Sequence, residues 1–315
     1  MPGDAMTEKQ IVGRFAPTPS GRMHLGNVFA ALMSWLSPKA RGGDWILRME
    51  DLDTQRTKGE YAELLRDDLR WLGLDWDEET APQSARSDVY DRYFDQLREK
   101  GLLFPCYCTR GQLHNVNAPH LSDGTYVYAG TCRNLTEEQR QAQKRAPSWR
   151  VMVPDREFRF TDLVQGEYRE NLRTDCGDFV VRRADGVYVY QLAVTVDDGE
   201  AGVTEVVRGW DLLSSAPRQM YLQELWGFDR PEYAHIPMLM APEGRRLSKR
   251  DQDLDMGALR NRLKPEQLIG VLAHAAGLTE TAQPISAAEL ATVFDWSKIE
   301  GRREIVVTEL ETLYR

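Results

Sequence analysis

The stretch Arg14-Phe15-Ala16-Pro17-Thr18-Pro19-Ser20-Gly21-Arg22-Met23-His24-Leu25-Gly26-Asn27 decides the fold. Residues 10–16 (QIVGRFA) are a short run of strand formers that must stop at the Pro- and Gly-rich turn after Ala16. Residues 27–39 then carry Val28, Ala31, Leu32 and Trp35 at helical spacing. Strand, tight loop and helix start in direct succession are the opening of a nucleotide-binding α/β unit. The unpaired N–H groups and positive end of such a helix favour an anion, and a triphosphate suits the site. His24 and Asn27, three residues apart, can donate to phosphate oxygens from one side of the first turn. Gly26, without a Cβ, lets a flat base approach the backbone.

Working outward, a second strand over 45–49 ends in Glu50-Asp51-Leu52-Asp53 and leads to a helix over 60–72 that gathers Tyr61, Leu64, Leu65 and Leu69 on one face. A β-α-β-α order favours a parallel sheet. A further helix over 89–100 stops at Gly101, a candidate left-handed cap. Between 104 and 185 the pattern changes to a cysteine cluster, a basic helix over 137–145 and short strands at 149–153, 158–160 and 179–183. The α/β pattern resumes with apolar strands at 187–196 and 205–208 and a helix over 217–226, and Pro265 opens an amphipathic helix to Ala276. The expected division is 1–104 for the first half of an α/β nucleotide-binding domain, 105–185 for an inserted α+β domain, 186–240 for the second half, and 241–315 for a basic loop and a helical C-terminal segment.

Composition narrows the function. The chain has 315 residues, 42% of them hydrophobic, and 40 Lys+Arg against 49 Asp+Glu give a net charge of −9, which excludes a broadly cationic nucleic-acid binder. Local basic stretches remain at 133–150 and 241–264, and charge runs of this kind are more often solvated faces than binding sites. No apolar window is long enough for a membrane span and residues 1–10 do not read as a secretory signal, so a cytoplasmic protein with no membrane partner is expected, and no obligate protein partner is evident.

Two further stretches carry chemistry. Gly244-Arg245-Arg246-Leu247-Ser248-Lys249-Arg250-Asp251 reads as a basic loop, and Ser248 and Lys249 are expected to fold over a polyphosphate and neutralise charge building on leaving pyrophosphate. Cys106, Cys108 and Cys132, in a chain whose four cysteines are too few for a disulfide scaffold, point to a structural metal site. Zinc closes such a site with four ligands, and the fourth candidates are Tyr128, His120, His114 and Cys176.

The order HLGN then LSKR, with an interrupted α/β pattern between them, resembles the HIGH and KMSKS signatures of class I aminoacyl-tRNA synthetases. Interior stretches resemble the glutamyl branch: Arg48-Met49-Glu50-Asp51-Leu52-Asp53, Tyr190-Gln191-Leu192-Ala193-Val194 through Asp197-Asp198, and Val207-Arg208-Gly209-Trp210-Asp211-Leu212 with Pro217-Arg218-Gln219. The resemblance covers about residues 13–277. It implies a Rossmann-type catalytic core with an inserted zinc-containing acceptor-type domain, and ATP with Mg2+ and L-glutamate as substrates. It further implies that Arg14, Ala16, Thr18 and Ser20 line the amino-acid and ATP pocket, that Glu50 holds the substrate ammonium, and that Tyr190 and Arg208 complete the glutamate site, with His24, Gly26, Asn27, Ser248 and Lys249 on ATP. Which arginine meets which carboxylate stays open. The family pattern of Cys-x-Cys followed by Tyr-x3-Cys favours Tyr128 as the fourth ligand of a single structural zinc, whereas spacing alone favours His or Cys.

The resemblance departs from a full glutamyl-tRNA synthetase after Leu278, where 279–315 is too short for a helical anticodon-binding body. A short core of this kind is similar to the tRNA-modifying members of the branch, which implies transfer of glutamate to the queuosine base of tRNA(Asp). The alternatives are a truncated core that charges a tRNA 3′ end, and a catalytically silent RNA-binding paralogue.

Overall fold

The opening motif folds as a parallel strand, a loop and a long buried helix. In the computed structural model, which describes residues 10–109, 111–112, 127–245, 247 and 254–308, β1 (Val12–Phe15) pairs in parallel with β2 (Asp44–Leu47), and β2 with the short β3 (Glu78–Glu79). The connecting α1 (Leu25–Lys39) buries Leu25, Val28, Phe29, Leu32 and Leu36. It packs so closely on β1 that a Cβ on Gly13 would lie 2.8 Å from the Pro38 ring. α2 (Gly59–Trp71) buries Leu65 and Leu69, and α3 (Ser87–Glu99) is followed by Gly101 at φ 68°, the left-handed stop read from the sequence.

Next come β4 (Leu103–Cys106), α4 (Glu137–Gln141), β5 (Ser148–Val151), β6 (Glu157–Asp162), β7 (Gly166–Asn171) and β8 (Phe179–Arg182). β4, β5 and β8 form an antiparallel sheet, and β6 with β7 a hairpin in which Phe160 faces Tyr168. The basic helix expected to Arg145 ends at Gln141: none of its residues is buried, so little beyond its Thr136 capping box holds it. β7 was not read from the sequence because GEYREN has no apolar alternation, and its pairing partner β6 supplies the order. The segment shares its core with the α/β part: Val151, Phe158, Leu172 and Val181 pack with Tyr90, Phe94, Leu192, Met220 and Tyr233.

The largest departure lies at 187–196. The expected strand is instead α5 (Tyr190–Glu200), so Tyr190 opens a helix. Leu192, Ala193, Val194 and Val196 are all buried, and an element buried on every side is apolar on every side, which removes the periodicity that separates helix from strand. β9 (Glu205–Gly209) follows, set beside β1 by Thr204, whose N–H donates to Val12 O at 2.9 Å and whose hydroxyl accepts from Val12 N–H at 2.8 Å. α6 (Ser215–Trp226) returns to β10 (Glu232–Ile236), parallel to β9. The chain continues through β11 (Met238–Met240), α7 (Met256–Leu259), α8 (Pro265–Ala276), α9 (Ala287–Ala291) and β12 (Glu304–Val306), with β11 parallel to β12. α8 has the expected bounds, opening on Pro265 and closing at Gly277 with φ 80°. Among the described residues no helix is long and apolar enough to cross a membrane.

Candidate active site

Arg14, Ala16, Thr18, Ser20, Glu50, Tyr190 and Arg208, far apart in the chain, line one cavity of about 330 Å³. It opens at the carboxyl ends of β1, β2 and β9, where ligands bind in open parallel sheets. Asn27, Ala30 and Gly209 are shared with a neighbouring cavity of about 220 Å³ that His24, Gly26 and Leu247 also line. One compartment thus holds the candidate amino-acid residues and the other the start of α1.

His24 is the N-cap of α1. Its Nδ1 accepts from Gly26 N–H at 3.1 Å, and Asn27 Oδ1 accepts from His24 N–H at 3.3 Å, a reciprocal capping box. With Nδ1 accepting, the neutral ring carries its proton on Nε2. A Cβ on Gly26 would lie 3.0 Å from the His24 ring, so the space at that glycine is taken by the histidine. Ser248 and Lys249 lie outside the described residues, but both flanks of their loop meet this site. Leu247 lines the smaller cavity, and beyond the loop Asp255 forms a bridge with His24 while Met256 N–H donates to Met23 O at 2.8 Å.

A buried charge network underlies the larger cavity. Arg48, fully buried, lies 2.8 Å from Asp198, 3.3 Å from Glu50 and 3.7 Å from Asp197. Arg14 Nε is 3.3 Å from Asp198 and its Nη1 donates to Val207 O at 3.1 Å. Burial opposes ionisation of Asp198, yet Arg14 and Arg48 outweigh it and hold that carboxyl below its ordinary range. For Glu50 the balance reverses: burial exceeds the pull of Arg48 and Arg14 and raises its pKa to about 7. Asp197 is likewise raised by burial, against Arg48, Gln83 and Arg86.

Arg208 has a different setting. Its Nε donates to His235 Nε2 at 2.9 Å, and its Nη1 donates to Gln219 Oε1 at 2.8 Å and to the Tyr190 hydroxyl at 3.2 Å. All three acceptors are neutral, and Nη2 is buried without a hydrogen-bond partner. Arg208 lines the cavity, and a guanidinium there with one nitrogen unspent has donors to spare for a carboxylate.

Residues 10–309 match the family described as tRNA synthetases class I (E and Q), catalytic domain. The chain belongs to this family. Within the class I synthetases it is 45% identical to the glutamyl-Q tRNA(Asp) synthetase of Symbiobacterium thermophilum, over 96% of this chain and 97% of that protein. It is 47% identical to the protein of the same name from Nitratidesulfovibrio vulgaris, over 85% and 87% of the two chains. The crystal structure of a glutamate tRNA ligase from Elizabethkingia meningosepticum in complex with its amino acid superposes with a TM-score of 0.81 at 30% identity, covering 96% of this chain and 68% of that one. The catalytic fold of this class I synthetase, with its parallel sheet, is therefore that of the glutamyl branch.

Away from the cavities, the sulfurs of Cys106, Cys108 and Cys132 all lie within 4.8 Å of one another, with Cys108 and Cys132 at 3.6 Å. The Tyr128 hydroxyl is 3.7 Å from Cys106 Sγ and accepts from Cys132 N–H at 2.7 Å. Bonds of about 2.0–2.3 Å to a tetrahedral zinc require ligand separations of this size, so three thiols and a phenol fit that ion. Cys176 packs in the other core and touches the cluster through its backbone, accepting from Tyr128 N–H. His114 and His120 lie outside the described residues. Gly177, at φ 72°, presses on this knuckle: a Cβ there would meet Tyr128 O at 2.4 Å.

Sequence reading did not single out Arg48, Asp162, Gln219 or His235. Arg48 stands beside Glu50 and Gln219 within a quoted stretch, so both were within reach of the motif reading. His235 and Asp162, in β10 and β6, carry no local signal and are joined to Arg208 only by the fold.

Proposed function

We propose that this chain activates L-glutamate with ATP and transfers the glutamyl group to the queuosine base of tRNA(Asp). The observation that carries the acceptor is the near end-to-end match with the Symbiobacterium relative, 97% of whose length is spanned. The substrate rests on the cavity: Arg14 and Arg208 offer two cationic clamps to a dicarboxylic acid, and Glu50 offers a carboxylate to its ammonium. Ala16, Thr18 and Ser20 line the same cavity. Tyr190 positions Arg208 through its hydroxyl.

The chemistry needs no protein nucleophile and no general base. An oxygen of the glutamate α-carboxylate attacks the α-phosphorus of ATP in line, the bond to the bridging oxygen breaks, and pyrophosphate leaves with glutamyl-adenylate remaining; acceptor attack on the carbonyl then releases AMP. His24, Asn27 and the N–H groups opening α1 meet the phosphates, Mg2+ accompanies ATP, and Lys249 stabilises charge on departing pyrophosphate. Cys106, Cys108, Tyr128 and Cys132 would hold zinc, which supplies structural cross-linking when bound.

Transfer of labelled glutamate to queuosine-containing tRNA(Asp) and to tRNA(Glu), followed by nuclease mapping, tests the acceptor. Label confined to the tRNA(Asp) anticodon is expected. Label on the 3′ end of tRNA(Glu) would make the chain a minimal glutamyl-tRNA synthetase, and no glutamate-dependent pyrophosphate exchange at all would make it a silent RNA-binding paralogue.

Two further results follow from the site. Lys249→Ala is expected to slow glutamyl-adenylate formation by about 10²–10³-fold in single-turnover experiments while glutamate binding changes far less. For Glu50, the ionised form binds the substrate ammonium and its pKa in the empty pocket stands at about 7. Glutamate affinity should therefore be full above that value and fall towards about tenfold per pH unit below it, with the step lost in Glu50→Gln. A pH-independent KM for glutamate between pH 5.5 and 8 would contradict this assignment.

A further inference from the structure

Behind Arg208, and outside the cavity lining, lies a buried pair of hydrogen-bonded side chains. His235 Nε2 accepts from Arg208 Nε at 2.9 Å, and its Nδ1 lies 2.6 Å from Asp162 Oδ2. Both side chains are completely buried. Arg208 has no acceptor capacity, so Nε2 must be the lone-pair nitrogen and the imidazole proton must sit on Nδ1, donated to Asp162. Asp162 is itself fixed by the backbone: its Oδ1 accepts from Val164 N–H at 3.0 Å, Gln165 N–H at 2.9 Å and His235 N–H at 3.0 Å. Burial, with Arg208 adjacent, holds the His235 pKa down at about 4 even beside Asp162, so the ring is neutral at working pH.

A carboxylate in place of His235 would orient Arg208 equally well but would also pair its charge, as Asp198 does for the fully buried Arg48 at 2.8 Å. Every hydrogen bond from Nε and Nη1 of Arg208 is to a neutral acceptor, Asp198 feels its charge without a hydrogen bond to it, and Nη2 is left without a hydrogen-bond partner. We propose that Asp162 and His235 are positioning residues for amino-acid binding: Asp162 fixes the Nδ1–H tautomer of His235, whose neutral lone pair aims the Arg208 guanidinium at a substrate carboxylate without consuming its charge. This inference rests on the glutamate reading of the cavity.

Asp162→Asn separates tautomer control from architecture. An asparagine whose Oδ1 keeps the three backbone bonds places its NH2 against His235 Nδ1, which moves the ring proton to Nε2 and sets it against Arg208 Nε–H. In tRNA-supplemented pyrophosphate exchange, the variant is expected to raise the KM for glutamate about tenfold to a hundredfold, the scale of a lost hydrogen bond to a charged group, while the KM for ATP moves less than threefold. His235→Gln, which keeps an acceptor, should stay within about threefold of the parent, and His235→Leu should behave like Asp162→Asn. Thermal melts identify any variant that has not folded, and the others decide. Unchanged glutamate KM in Asp162→Asn or His235→Leu, or equal rises in the KM for glutamate and ATP, would overturn the inference and leave the glutamate reading standing. A parent protein with no glutamate-dependent exchange would overturn that reading and the inference with it.

Discussion

Arg208→Leu is expected to lower kcat/KM for glutamate by about 30- to 4,000-fold, because removing one partner of a buried, hydrogen-bonded charge pair costs about 2–5 kcal/mol. The loss should fall mainly on KM if the arginine binds ground state and transition state alike. Arg208→Lys is expected to be nearly as damaging. The guanidinium spends Nε on His235 and Nη1 on Tyr190 and Gln219, and a single ammonium cannot make those bonds and still present donors to the substrate. The leucine variant leaves two buried acceptors, on His235 and Gln219, and the half-buried Tyr190 hydroxyl without their donor but also removes a buried cation, so thermal stability is the control that separates binding from folding. Measuring glutamine alongside glutamate assigns the contact. Glutamine has the α-carboxylate and lacks the side-chain one, so a loss confined to glutamate places Arg208 on the side chain, and an equal loss places it on the α-carboxylate. A kcat/KM for glutamate within threefold of the parent would remove Arg208 from the site.

How far the site was legible in the sequence depends on how each residue is held. Arg14, Glu50 and Arg208 stand at strand ends inside distinctive stretches, and such residues converge wherever parallel strands share an end. The elements that declared themselves did so through local chemistry: Pro265 and Gly277 bracket α8, and Gly101 follows α3. Where tertiary burial overrides local pattern, the reading failed. α5 looked like a strand because both of its faces are covered, and the polar β7 was invisible because its order comes from β6. The network behind the site was beyond reach for the same reason. Asp162 and His235 lie 73 residues apart and meet only when the β6–β7 hairpin folds against β10. Arg48 has zero exposure, and its function emerges only when Asp197 and Asp198 arrive from the end of a helix that the sequence presented as a strand.

That dependence on long-range closure also makes the cysteine knuckle the place where metal removal should matter most. Phe104, Cys106, Tyr128 and Cys132 form a small core of their own, too small to hold its shape on apolar burial alone. Structural zinc contributes about 10–16 kcal/mol to folding in isolated peptides, and the ion here would join β4 to the segment that carries Tyr128 and Cys132. Protein produced with zinc supplied is expected to contain about one equivalent by elemental analysis. Chelation should lower the melting temperature by roughly 10 °C or more and open the chain to proteolysis near residues 106–132. Cys132→Ala should lose the metal outright. Gly177→Ala removes no ligand, yet its Cβ would press on the Tyr128 carbonyl from 2.4 Å, and it should release zinc to a chelator faster than the parent. The knuckle's core residues are absent from both cavity linings, so glutamate KM in any folded variant should stay within about threefold of the parent while zinc content falls. Zinc-free protein with an unchanged melting temperature would show that the three sulfurs and the phenol hold the knuckle by packing alone.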